Sequence, residues 1–184
     1  MKKRKPIIVY DFDGTLSTYE RGWEGAGICN DPPVPGALEH LVRSLERFHP
    51  AILSSRSHQW GGIPAMKRWL YTHLMALGGC DPQGGQFEFE LPRWWADFIH
   101  AQSAMEPWWH ETHSASKLVV RSVLWPIFKP PALYTIDDRA HQFDGTWPDH
   151  EAIASFKPWN KRIPTVSAQA DVAKDSEAKS NDAA

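Results

Sequence analysis

Three short apolar runs in this chain each stop at a cluster of polar residues. Ile7–Tyr10 (I-I-V-Y) runs into Asp11-Phe12-Asp13-Gly14-Thr15, Ala51–Leu53 runs into Ser54-Ser55-Arg56, and Leu133–Ile136 runs into Asp137-Asp138-Arg139. Unbroken β-branched and aromatic runs of this length mark strands buried on both faces of a parallel sheet. Between the first two, residues 36–48 carry Leu38, Leu41, Val42, Leu45 and Phe48 at helical spacing, behind a Pro-Gly start and ahead of His49-Pro50. Strand, helix, strand in that order predicts a parallel sheet. Ligands of such sheets bind beyond the carboxyl ends of the strands, where the polar clusters stand.

The other segments divide by their breakers. Residues 16–35 hold Gly22, Gly25, Gly27, Pro32, Pro33 and Pro35 and read as loop; Tyr19, Arg21 and Trp23 in it either touch a substrate or pack the loop. Gln59–Gly62 is a turn. Ile63–Leu77 reads as a helix with Met66, Trp69, Leu70, Leu74 and Leu77 on one side, ended by Gly78-Gly79. Gln86–Leu91 alternates as a half-exposed strand does. Residues 93–113 read as one helix rich in Trp and His, residues 116–128 mix helix and strand signals, and Trp147–Trp159 suits a short closing helix. From Ile163 onward large apolar residues become rare, which predicts a disordered tail. The expected organisation is one α/β domain over 1–162, with 79–128 as a variable insert or lid, and a tail over 163–184.

Composition narrows the partners. The chain has 184 residues, 42% of them hydrophobic, and a net charge of −2. A core is affordable in size, and the charge makes no general case for nucleic acid or membrane; only Lys2-Lys3-Arg4-Lys5 is basic. No run approaches the roughly 20 apolar residues of a membrane span. The two cysteines, Cys29 and Cys80, have neither metal-ligand spacing nor the look of a disulfide framework. With no signal-peptide pattern at the start, a soluble cytoplasmic protein is expected. His110 and His113 share a helical face, but spacing supplies no third metal ligand.

The chemistry sits in the clusters. Strand alternation puts Asp11 and Asp13 on one side and Phe12 on the other. Two adjacent carboxylates favour a bound cation, and hard oxygen donors suit Mg²⁺ better than zinc. Gly14 permits a tight turn, and the Thr15 hydroxyl can donate to an anion or to the carboxylates. Ser54 or Ser55 supplies a hydroxyl, and Arg56 a fork suited to phosphate oxygens. No G-x-x-x-x-G-K-[ST] string is present, which excludes a P-loop kinase.

Taken in order, D-F-D-G-T, L-S-S-R, K-P and I-D-D-R resemble motifs I to IV of the haloacid dehalogenase superfamily, whose members are mostly Mg²⁺-dependent phosphatases. The resemblance covers roughly residues 5–145; the stretch 79–128 matches no family pattern. It implies a Rossmann-like parallel sheet flanked by helices, with no large cap between motifs I and II. It implies Asp11 as the nucleophile that forms an aspartyl-phosphate and Asp13 as acid and then base. Ser54, with Ser55 as the alternative, and Lys129, with Lys117 as the alternative, would hold the phosphoryl group. Mg²⁺ would be held by Asp11, the Asp13 backbone carbonyl and Asp137, with Asp138 as a further ligand or an orienting group. Asp13 argues against the dehalogenase branch, which has no leaving alcohol to protonate. The motif forms are similar to those of polynucleotide 3′-phosphatases and deoxyribonucleotidases, so a nucleotide or nucleic-acid terminal phosphate is the expected substrate. The Trp-rich 93–109 then stacks bases, forms a lid or interface, or is core. The alternatives are a phosphatase of another small phosphoester and a non-catalytic binding protein of the same fold.

Overall fold

The computed structural model describes residues 4–79, 92–102, 108–140 and 149–161. The first three stretches belong to one unit, residues 1–145, and the last to a second, residues 146–184. The expected strand at 86–91 and the expected tail from 163 lie outside the described residues.

In the first unit β1 (Ile7–Tyr10) is followed by α1 (Ala37–Ser44), β2 (His49–Ile52), α2 (Gly62–Leu77), α3 (Arg93–Gln102), α4 (Trp108–Ser122) and β3 (Tyr134–Ile136). The strands form a parallel sheet in the order β2-β1-β3, with Ile8 opposite Pro50 on one side and Tyr134 on the other. This is an α/β architecture, a small three-stranded parallel sheet flanked by helices. The chain steps from β1 outward to β2 and then returns to β3 on the far side of β1. The strand order therefore reverses between β1 and β3, and a crevice opens there at the carboxyl ends.

Local chemistry explains the boundaries. Gly36 adopts a left-handed φ of 79° ahead of α1, a conformation that costs a glycine nothing. α1 stops at Ser44 rather than at 48 because its last turn tightens: the amides of Leu45, Glu46 and Arg47 bond three residues back instead of four. β2 begins two residues earlier than the apolar run suggests. His49 donates to the Pro6 carbonyl, and Pro50, which has no N–H, contributes only its carbonyl, which accepts from Leu124. Leu124 and Ala51 form an isolated bridge, so the ambiguous stretch after 116 is helix to Ser122 and then one rung of pairing.

The single helix expected over 93–113 is instead two, α3 and α4, which pack against each other. Pro107 in the sequence between them explains why one rod is disfavoured. α4 also packs on α2, and Tyr71 Oη lies 2.6 Å from His113 Nδ1 across that contact. His113 thus has a structural partner across that contact.

The core draws on every one of these helices and on β1. Trp69 is its hinge: buried, it meets Phe12 edge-on at 4.8 Å, and its indole N–H donates to the Asp31 carbonyl at 2.7 Å. That ties α2 both to the turn after β1 and to the end of the 16–35 loop. The loop closes on itself like a hairpin, with Thr18 donating to Pro32 and Val34 to Leu16.

In the second unit α5 (His150–Ser155) leads to a 3₁₀ turn at Trp159–Lys161, in place of the closing helix expected over 147–159. No helix among the described residues is long and apolar enough to cross a membrane.

Two stability outcomes follow from this packing. A Cβ at Gly62 would stand 2.0 Å from the Arg56 carbonyl oxygen, so the start of α2 and the turn after β2 must separate in Gly62→Ala. The expected loss is about 1–3 kcal/mol, read as a lower midpoint in urea unfolding with an unchanged slope. The second outcome concerns pH. Burial beside Trp69 pushes His73 below its ordinary 6.5. The unfolded chain takes up that proton first, so the contribution of His73 is intact above pH 6.5 and is lost as the pH falls from there toward its folded value. His73→Gln should flatten the pH dependence of the thermal midpoint in that window, and an unchanged slope would count against it.

Candidate active site

Three carboxylates meet in the crevice between β1 and β3. Asp11 follows the last residue of β1, Asp137 and Asp138 follow β3, and one carboxylate oxygen from each lies within 4.8 Å of the others. Backbone pairing enforces the approach: the Asp11 N–H donates to the Ile136 carbonyl at 2.9 Å. Asp137 is exposed, and the Asp138 side chain is 1% exposed.

Burial and crowding act together on the charges. Burial foremost, with the charges of Asp137, Asp13 and Asp138 adding to it, pushes Asp11 up to about 7, against a backbone hydrogen bond at Phe12 that works the other way. Burial likewise pushes Asp138 up, although Arg139 opposes it. The Asp138 Oδ2 accepts from Arg139 Nε at 3.4 Å, while its Oδ1 is buried with no hydrogen-bond partner. A buried carboxylate oxygen left without a donor, beside two more carboxylates, is the donor set of a hard divalent cation. Asp11, Asp137 and Asp138 therefore fit Mg²⁺. Among the described residues no other group of His, Cys, Asp or Glu comes close enough to hold a metal.

Gly14 makes room for this cluster. Its φ of +88° is disfavoured for a side-chain-bearing residue, and a Cβ there would stand 2.6 Å from Asp138 Oδ2.

Asp13 has different company. Ser54 Oγ donates to its Oδ2 at 3.2 Å, and Arg56 grips it with Nε at 2.8 and 3.0 Å and Nη2 at 2.9 Å. The two side chains are 3% and 12% exposed. Removing one partner of a pair this buried costs about 3–5 kcal/mol, most of it from stranding the other charge. Ser54 Oγ also accepts from the Arg56 N–H at 3.2 Å, which holds the turn after β2 against the end of β1.

A cavity of 220 Å³ is lined by Asp11, Asp13, Tyr19, Ser54, Ser55, Asp137 and Arg139. A larger groove of 570 Å³ lies between α1 and α3, where no comparable group of titratable side chains converges. The chemistry belongs to the smaller one. Ser54 is buried at its wall and Ser55 is exposed at its rim.

Several expected placements differ. Arg56 faces Asp13 and the loop rather than open space for a phosphate. The Asp13 carboxylate, expected as acid and base while the backbone carbonyl meets the ion, stands outside the trio and is held by Arg56. Thr15 lines a separate groove of 380 Å³ with Tyr10, His40 and Ile136, and its buried hydroxyl has no hydrogen-bond partner there. Lys129 is exposed in the segment leading to β3, Lys117 is exposed on α4, and neither lines the cavity. The cation that does line it is Arg139, whose guanidinium lies 5.9 Å from the Tyr19 ring centroid. Tyr19 holds a left-handed φ of 57°, unusual for a residue with a side chain, which no sequence pattern announces. Arg139 was visible as the third residue of D-D-R, directly after two of the site's acids.

No protein-family model, no curated protein and no solved structure matches this chain.

Gly14→Ala should weaken Mg²⁺ binding strongly, because Asp138 must retreat from the trio. Titration calorimetry checks this, with far-ultraviolet circular dichroism to establish that the fold survives. Wild-type affinity in the variant would show that Asp138 is not needed for the ion.

Proposed function

We propose that this protein is a Mg²⁺-dependent phosphomonoester hydrolase of the haloacid dehalogenase type, working through a phosphorylated Asp11. The observation that carries the reading is the convergence of Asp11, Asp137 and Asp138 at the reversal point of a parallel sheet, with one buried Asp138 oxygen unpartnered. The Rossmann-like form of the sheet agrees with it, as does the order of the motifs.

In this reading an Asp11 oxygen attacks phosphorus in line with the departing alcohol. The P–O bond to the alcohol breaks and an aspartyl-phosphate forms. Asp13, two residues on, enters this step protonated, gives its proton to the leaving oxygen and becomes the carboxylate that Arg56 holds. Asp13 then takes one from the water that releases inorganic phosphate and restores the Asp11 carboxylate. Ser54 holds Asp13 in place, Ser55 lies at the rim within the same cavity, and Arg139 supplies the positive charge there. Asp11, Asp137 and Asp138 would hold Mg²⁺, with the Asp13 backbone carbonyl as the further expected ligand. The ion supplies charge that offsets repulsion between carboxylates and an anionic substrate.

The substrate favoured is a nucleotide or a nucleic-acid terminal phosphate. Between β1 and β2 the chain provides only a loop and α1, so no cap domain closes the cavity from there. Tyr19 and Arg139 at its wall form an aromatic–cation pair of the kind that receives a base and its backbone.

The decisive assay is hydrolysis of an aryl phosphate with Mg²⁺, with chelator, and by Asp11→Asn. Activity is expected in the first case alone. Turnover that survives in Asp11→Asn would remove Asp11 as nucleophile, and Mg²⁺ binding without turnover on any phosphomonoester would favour a binding protein.

A further inference from the structure

Arg56 is placed to do something other than bind phosphate. Its guanidinium is almost fully buried. Nε and Nη2 donate to Asp13, and Nη1 donates to the backbone carbonyls of Gly25 at 2.6 Å, Ile28 at 2.7 Å and Ala26 at 3.3 Å. Four of its five N–H groups are spent in this way. The Trp23 ring covers the guanidinium, with its centroid 4.6 Å away. Burial alone would weaken the hold of Arg56 on its proton, but the Asp13 carboxylate reverses that effect and the net shift is upward. A phosphate would have to break these contacts to gain the fork.

One planar group thus joins two parts of the molecule. One edge fixes the Asp13 carboxylate, and the other holds residues 25–28 of the 16–35 loop by three main-chain oxygens. Asp13 receives three donor hydrogens, from Nε, Nη2 and Ser54 Oγ, against about four lone-pair sites. Both oxygens share the Nε hydrogen, so Arg56 and Ser54 together fix the direction in which the Asp13 carboxylate faces.

We propose that Arg56 is a positioning residue that couples the seating of the 19–31 loop to the orientation of Asp13, so that the loop must be docked for proton transfer to the leaving group. This rests on the hydrolase reading above. A loop that engages a substrate through Tyr19, which lines the cavity, would set the acid through Trp23 and Arg56 in the same movement.

The test uses the full chain and two substrates, 4-nitrophenyl phosphate, whose leaving group needs no proton, and a simple alkyl phosphate, whose leaving group does. Arg56→Lys keeps the charge and loses the fork. Its kcat on the alkyl ester should fall about 100-fold, with a much smaller loss on the nitrophenyl ester, the same pattern as Asp13→Asn. Hydrogen exchange in residues 19–31 should quicken while that of 49–52 stays unchanged. Trp23→Ala, at an exposed position that leaves the Asp13 pair intact, should show the same exchange pattern and a weaker leaving-group effect; it decides the matter if Arg56→Lys does not fold. Equal losses on both esters, or a higher KM with kcat unchanged, would make Arg56 a structural or phosphate-contact residue and overturn the proposal. If the wild type hydrolyses neither ester, the hydrolase reading fails and the proton-transfer half falls with it. Exchange then decides the loop anchor by itself, and unchanged exchange overturns that half too.

Discussion

The hydrogen bond from the Asp11 N–H to the Ile136 carbonyl closes the pairing of β1 with β3, and the site depends on it. Extending two parallel strands by one residue each beyond this rung brings their acidic ends together whether or not their charges agree. Left in water, three carboxylates would separate. Here the sheet sets their spacing, and the cost of the repulsion is met by the core beneath, where Phe12 and Trp69 lock the turn that follows β1. Burial first, and that crowding after it, push Asp11 up to about 7. A cation is the natural remedy, and the buried, partnerless oxygen of Asp138 is placed to bind one.

The two halves of the D-x-D pair consequently do different things. Asp11 belongs to the acidic trio and Asp13 to a guanidinium, although they stand two residues apart and line one cavity. Keeping a buried cation beside one carboxylate and none beside its neighbour is how a short segment supports two kinds of chemistry. The separation comes from the turn after β2, whose Ser54 and Arg56 reach only Asp13.

How much of this could be read in advance depended on whether the controlling atoms were side chains or backbone. The three strands, their parallel sense and the acids after two of them were legible, because apolar runs that stop at polar clusters have one economical arrangement. The lysine was not: nothing in K-P-P says which side of the sheet a flexible loop will present, and Lys129 ended in solvent. The destination of Arg56 was hidden for a different reason. Its partners at Gly25, Ala26 and Ile28 are carbonyl oxygens, which every residue carries and no motif records. The division into α3 and α4 was legible in principle at Pro107, but the surrounding Trp and His residues repeat too evenly for helical spacing to reveal it. Fold and acids agree with the expected architecture at the level of an α/β parallel sheet, and the family within that class is a matter of the proposal.

The order of the strands along the chain has a consequence for how the molecule comes into being. β1 meets β2 after a short interval, but its other partner, Tyr134–Ile136, is nearly the last described segment of the first unit. At ordinary translation speeds, on the order of ten seconds pass between the emergence of the two. Through that time one edge of β1 is unpaired, an open template for wrong partners. Asp11 waits with it, a lone carboxylate at the end of a half-finished sheet. The cation site is therefore among the last features to exist, and a chain stalled before residue 134 would have much of the core and only Asp11 of the acidic trio.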